Sequence, residues 1–148
     1  MRPLFDTNVF ISYKAHFTDK DIHGMVLSIV VWYEMAAGVL DRSERKRLRR
    51  WYELHNHESR CTLLVPTAFD WKRTAEAVAH IRFQDRQAAH GQTPPRNATK
   101  LQNDALIAYT ASVKQHRCFV VTDNESDFRQ LQTVLKFAFI SPREYFAL

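Results

Sequence analysis

The chain has 148 residues, 45% of them apolar and 25% charged, with three Gly and five Pro. That is one domain's length with enough apolar side chain for a core, which excludes a linker, a fibrous repeat or a disordered tail. Lys and Arg total 21 against 16 Asp and Glu, a net charge of +5 that leans towards a polyanionic partner. The longest apolar run, Met25 to Tyr33, is too short for a bilayer and lacks signal-peptide flanks. The expectation is a soluble, cytoplasmic protein with no membrane partner.

In chain order, Leu4 and Phe5 read as a short strand that runs through Asp6, Thr7 and Asn8 into an apolar helix. Met25–Ile29 reads as a second strand. Val30–Leu40 follows as a helix with Val31, Glu34, Met35 and Gly38 on one face. Ser43 to about His57 continues as a basic helix with Leu48, Trp51, Tyr52 and Leu54 as inward anchors. Within it, Arg42 to Arg50 carries six basic residues and one acid, Glu44.

Thr62–Val65 is the third strand. Ala68 to His90 is one long amphipathic helix, with Trp71, Ala75, Val78 and Ile81 at helical spacing. Pro94 and Pro95 break it within the polar loop Gly91 to Thr99. Leu101–Val113 is helical with Asp104 in its first turn. Phe119–Val121 is a buried strand, Val134–Ile140 a fifth, and a short tail ends the chain. Cys61 and Cys118 each open an apolar run and read as reduced core thiols.

Strands that alternate with helices, and that are continuous apolar runs, predict an α/β fold. It has a central parallel sheet of about five strands flanked by helices on both faces, as a single domain over residues 1–148. Ligands of such sheets bind beyond the carboxyl ends of the strands. Asp6 follows the first strand, Asp123 follows the fourth, and Glu34 and Asp104 lie near the starts of crossover helices. All four can meet at one edge.

Crowded carboxylates raise one another's pKa. No apolar-flanked Lys or Arg stands beside Asp6, Glu34 or Asp104 in the sequence, so a divalent cation is the natural counter-charge. All-oxygen ligands point to Mg2+ or Mn2+. Such a centre suits phosphodiester cleavage, where the ion activates water and neutralises charge on the phosphate. Each acid also has a bland reading. Asp6 can be a helix N-cap and Asp104 can complement a helix dipole, whereas Glu34 on an apolar face is costly unless paired.

These residues carry a resemblance to the PIN-domain ribonucleases, and within them to the VapC-like toxins of type II toxin-antitoxin pairs. A strand followed by D-T-N and an apolar helix stands at Leu4 to Ile11. A Ser six residues before a helical Glu, with Gly four residues after it, is Ser28, Glu34 and Gly38. N-D-A-L-I-A spans Asn103 to Ala108, with Ala111 beyond. T-x-N-x-x-D-F is Thr122, Asn124, Asp127 and Phe128.

The resemblance implies a Mg2+- or Mn2+-dependent endoribonuclease with Asp6, Glu34 and Asp104 as catalytic, metal-binding acids. Thr7 and Asn8 would fix the geometry around Asp6, with Ser28, Thr122 and Asn124 in support. A position that is Asp in some relatives is Asn124 here. Asp123 or Asp127 supplies the fourth charge, directly or through water, or Asn124 is a neutral ligand; Asp127 is preferred. The same resemblance implies RNA as substrate, a VapB-like antitoxin laid into a groove near Glu34, and a homodimer using the apolar parts of Arg42 to His57.

Arg45, Lys46, Arg47, Arg49 and Arg50, together with Arg96 and Lys100, would line the RNA path. Two rival readings are a catalytically silent PIN-fold binding module for nucleic acid or protein, and a PIN nuclease of RNA maturation. Zinc finds only His55 and His57 close in sequence, and no nucleophile elbow, P-loop or dinucleotide fingerprint occurs. Trp32, Trp51 and Trp71 read as core or interface anchors in preference to base-stacking platforms.

Overall fold

The computed structural model of the chain describes residues 1–57, 62–88, 97–112 and 118–148. Cys61, Arg96 and the Pro94–Pro95 break lie outside them. The strands are β1 (Arg2–Phe5), β2 (Val26–Ser28), β3 (Thr62–Leu64), β4 (Cys118–Val121) and β5 (Phe139–Ile140). They form one all-parallel sheet in the order β3-β2-β1-β4-β5. The helices are α1 (Thr7–Ser12), α2 (Asp19–Gly24), α3 (Ile29–Gly38), α4 (Arg42–His57), α5 (Ala68–Ala88), α6 (Ala98–Ser112), α7 (Glu125–Gln132) and α8 (Pro142–Phe146).

Neighbouring residues of a strand point to opposite faces of a sheet. Leu4 and Phe5, Val26 and Leu27, and Val120 and Val121 are all buried, so helices cover both faces. On the side of α1, α3 and α4, Phe5 packs edge-on against Phe10, Phe17 and Tyr145. A second cluster joins α5, α6 and α7 through Ile81, Leu101, Ala105 and Leu131. The chain winds from β1 outward to β2 and β3, then returns to place β4 on the other side of β1. The strand order therefore reverses between β1 and β4, which is where an open parallel sheet forms its crevice.

Several boundaries differ from the sequence expectation. The fifth strand is only Phe139–Ile140, because the amides of Val134 and Leu135 bond back to the Leu131 carbonyl and Leu135 is buried in the second cluster. α6 begins at Ala98, where Asn97 accepts from the Lys100 amide at 3.0 Å. Asp104 thus sits in the second turn, beyond the reach of a simple dipole role. α2 and α8 are additional short helices, each opened by a capping box, Thr18 with Asp21 and Ser141 with Glu144.

α5 turns Thr74, Ala77, Val78 and Ile81 inward and leaves Trp71 49% exposed, so Trp71 is not a core anchor. Trp32 and Trp51 do pack on the core, and Trp32 donates to the Leu48 carbonyl. Leu48 is buried as well, while Tyr52 and Leu54 of α4 stay partly exposed. No helix of the described residues is long and apolar enough to cross a membrane.

Candidate active site

Asp6 leaves β1 at the crevice as the N-cap of α1. Its Oδ1 accepts from the Thr7 amide at 2.7 Å and its Oδ2 from the Thr122 hydroxyl at 2.8 Å. The bland capping role and the site role therefore coexist in one residue. The Asp6 carboxyl is raised from its ordinary range chiefly by burial, with Glu34 adding to the effect. Thr122, Thr7 and Lys100 oppose it.

Glu34 reaches this centre from α3. Its Oε2 accepts from the Thr7 hydroxyl and its Oε1 from Asn103 Nδ2 at 2.6 Å. Both carboxylate oxygens are thus held by neutral donors from α1 and α6. Asp104, on the next residue of α6, is 5% exposed. Burial, and then the charges of Asp6 and Asp127, push its carboxyl up to about 8, while Lys100 pulls the other way. A single amide group, Asn124 Nδ2, donates to Asp104 Oδ2 at 3.0 Å and to Asp127 Oδ2 at 2.8 Å.

The structure accordingly brings Asp6, Glu34, Asp104 and Asp127 to one place. Asp123 is exposed and engaged elsewhere: its carboxylate accepts from the Tyr13 hydroxyl at 3.5 Å and its amide donates to Asn8 Oδ1. Thr122 is the hub of the strand end, donating to Asp6 and accepting from the Asn124 amide at 3.0 Å. Asn8 Nδ2 lies 3.5 Å from the same hydroxyl. Ser28 is fully buried and caps α3 through the Val30 amide, supporting Glu34 only through the helix it starts.

The cation near the acids is Lys100, whose Nζ lies 4.0 Å from Asp127 Oδ2. It stands one helical turn before Asp104, where the sequence shows no apolar-flanked base. The acids themselves are an all-oxygen donor set, and burial together with the neighbouring charges holds Asp104 well above its ordinary range, a chemistry that fits a hard divalent ion. As arranged, no three His, Cys, Asp or Glu side chains of the described residues form a ready cage. Glu34, Asp104 and Asp127 instead take their hydrogen bonds from the Asn103 and Asn124 amides.

Beside the acids lies a cleft of about 700 Å3 between α1, α2, α3 and α4, with Glu34 at its wall. Its apolar lining includes Phe10, Phe17 and Trp51, and Lys14, Arg47 and Arg50 line it together with the acids Asp19, Glu34 and Glu44. Lys14 bridges to Glu44 of α4 at 2.6 Å, and the Arg47 guanidinium lies over the Trp51 ring. Arg45, Lys46 and Arg49 are exposed on α4 outside this lining. The sequence motif includes Asn103 without giving it a role, and nothing in the sequence singles out Lys14. Asn103 could have been found from its place beside Asp104 on a helix, but Lys14 reaches the cleft only by tertiary packing.

A family model for the PIN domain matches residues 4–133. The chain belongs to the PIN-domain family. A comparison with curated proteins found no match. Similar solved structures include VapBC-1 from nontypeable Haemophilus influenzae, 17% identical over 95% of this chain and 98% of that one, with a TM-score of 0.49. FitAcB from Neisseria gonorrhoeae is 19% identical over 95% and 97% of the two chains, with a TM-score of 0.44.

Proposed function

We propose that this PIN-domain protein is a metal-dependent endoribonuclease that serves as the toxin of a VapBC-type pair. The observation that carries the nuclease reading is the convergence of four acids from four separate segments at the sheet's crevice, with Asp104 pushed up to about 8. Crowding of that kind is costly to the fold and is characteristic of functional sites. The toxin role is supported by the motif resemblance, from Leu4 to Phe128.

Asp6, Glu34, Asp104 and Asp127 are the residues that would hold Mg2+ or Mn2+. Bound there, such an ion supplies an activated water and the positive charge that a phosphodiester transition state requires. Thr7 and Asn103 keep both Glu34 oxygens aimed at the centre, and Thr122 does the same for Asp6. Lys14, Arg47 and Arg50 of the cleft bind RNA phosphates that the acids alone would repel. The same cleft, apolar on one wall and next to Glu34, is where a VapB-like antitoxin segment would lie. A homodimer would use the partly exposed apolar side chains of the Arg42 to His57 region, such as Tyr52 and Leu54.

The test is cleavage of pooled RNA by the wild type and Asp104→Asn, purified side by side with Mg2+, Mn2+ or chelator. Cleavage that needs the metal and vanishes in the variant is expected. Metal-independent cleavage, or equal activity in both preparations, would overturn the assignment. A silent binding module, the reading favoured by the amide bridge of Asn124, would instead bind RNA without cutting it.

A further inference from the structure

Next to the acid centre, α5 and α6 line an open groove of about 430 Å3. Its walls carry Trp71, Arg82, Thr99, Gln102 and Asn103 over an alanine floor, and no carboxylate lines it. The groove is continuous with the acid centre through Asn103, which lines it and also donates to Glu34 Oε1 at 2.6 Å. Glu34 in turn walls the cleft between α1, α2, α3 and α4. The acids therefore adjoin two recesses, one whose Lys14, Arg47 and Arg50 stand among acids of its own and one built around an indole.

The chemistry of the second recess is specific. Trp71 remains 49% exposed although α5 has an apolar inward face to offer it. Gln102 is braced by its own hydrogen bond to Thr74 Oγ1 at 2.6 Å, which fixes a polar side chain beside the indole. Arg82 buries an Nε that has no hydrogen-bond partner among the described residues. A flat aromatic face with amides, a hydroxyl and a guanidinium around it matches a nucleobase, which has π faces and a rim of donors and acceptors.

Resting on the nuclease reading, we infer that this groove is a nucleobase subsite for single-stranded RNA. Trp71 stacks one base of the strand whose phosphodiester lies at the acids, and the amides and Arg82 meet that base's edge. Lys14, Arg47 and Arg50 of the first cleft hold the neighbouring backbone.

The test is fluorescence anisotropy of a labelled 12-nucleotide single-stranded RNA of random sequence, in chelator so that no cutting occurs, across a salt series. Trp71→Ala should weaken binding on the order of 5- to 150-fold, the loss expected for one stacked base. Trp71→Phe, which keeps a ring, should restore most of it. The salt dependence should be unchanged in both, because no phosphate contact is lost. Wild-type affinity in Trp71→Ala, while the wild type still binds and cuts RNA, overturns the subsite and leaves the nuclease standing. A loss that Trp71→Phe fails to rescue overturns it too, as does a dimer that becomes monomeric in Trp71→Ala with RNA affinity intact. A wild type that binds no RNA brings down both readings.

Discussion

Replacing Asp104 with Asn should stabilise the metal-free protein, and by more at neutral than at acid pH. Asp104 is 5% exposed, and burial together with Asp6 and Asp127 raises its carboxyl from 3.8 to about 8. The unfolded chain returns it to the ordinary range, so across the window between those values the native state binds the extra proton. Stability therefore falls as pH rises through it. Each pH unit above the unfolded value costs about 1.4 kcal/mol, a ceiling of about 4 kcal/mol at pH 7 and under about 2 at pH 5. Asn removes that cost while its side-chain oxygen still accepts from Asn124 Nδ2, 3.0 Å away in the wild type. Urea denaturation in chelator at both pH values measures the difference, and other titrating groups largely cancel between the two proteins. The variant should be the more stable, with a gap that widens from pH 5 to pH 7. A constant gap, or a variant weaker than the wild type, refutes the argument.

The fourth acid is tested by calorimetric Mn2+ titration. Asp127→Asn should weaken binding by on the order of 10- to 100-fold, the size seen when a metal site loses a supporting group, whereas Asp123→Asn should leave it unchanged. Equal effects would show that the two carboxylates are interchangeable. In RNA binding, Arg47→Ala and Arg50→Ala should each flatten the dependence of log affinity on log salt by about one. Arg45→Ala, outside the cleft, should change it less. Arg2 donates from its guanidinium to the carbonyls of Gly24 at 3.0 Å and Met25 at 2.6 Å, and to Thr62 Oγ1 at 2.9 Å. Arg2→Ala should lower unfolding stability by about 1–3 kcal/mol through those lost bonds, with Mn2+ affinity intact; a neutral effect on stability would mean water replaces them at no cost.

Local sequence was enough for the alternation of strand and helix, because continuous apolar runs and 3.6-residue periodicity are properties of neighbouring residues. It was also enough for Asp6, which is bound to the crevice by directly following a central strand, and for Glu34 and Asp104 as acids on otherwise apolar helices. It fell short where two helical faces were equally plausible. On α5, small residues follow both Trp71 and Thr74, and only packing against α6, through the Gln102 bond to Thr74, decided that Thr74 turns inward. α6 starts ahead of its apolar periodicity, because Asn97 caps it from a polar stretch that has none.

The chain by itself determined the fold class, the acids and the order in which they occur, since each depends on what stands within a turn or a strand of it. The sequence leaned to Asp127 over Asp123, and the contact that brings Asp127 to the amide holding Asp104 belonged to the tertiary structure. Burial of Phe128 and Leu131 sets how α7 rolls onto the sheet, and that roll puts Asn124 and Asp127, three residues apart, on the side of Asp104. The pairing of Lys100 on α6 with Asp127 on α7, and the approach of Lys14 to the cleft, were decided the same way. A long flexible cation's neighbours are set by how helices pack, which no short-range pattern in the chain encodes.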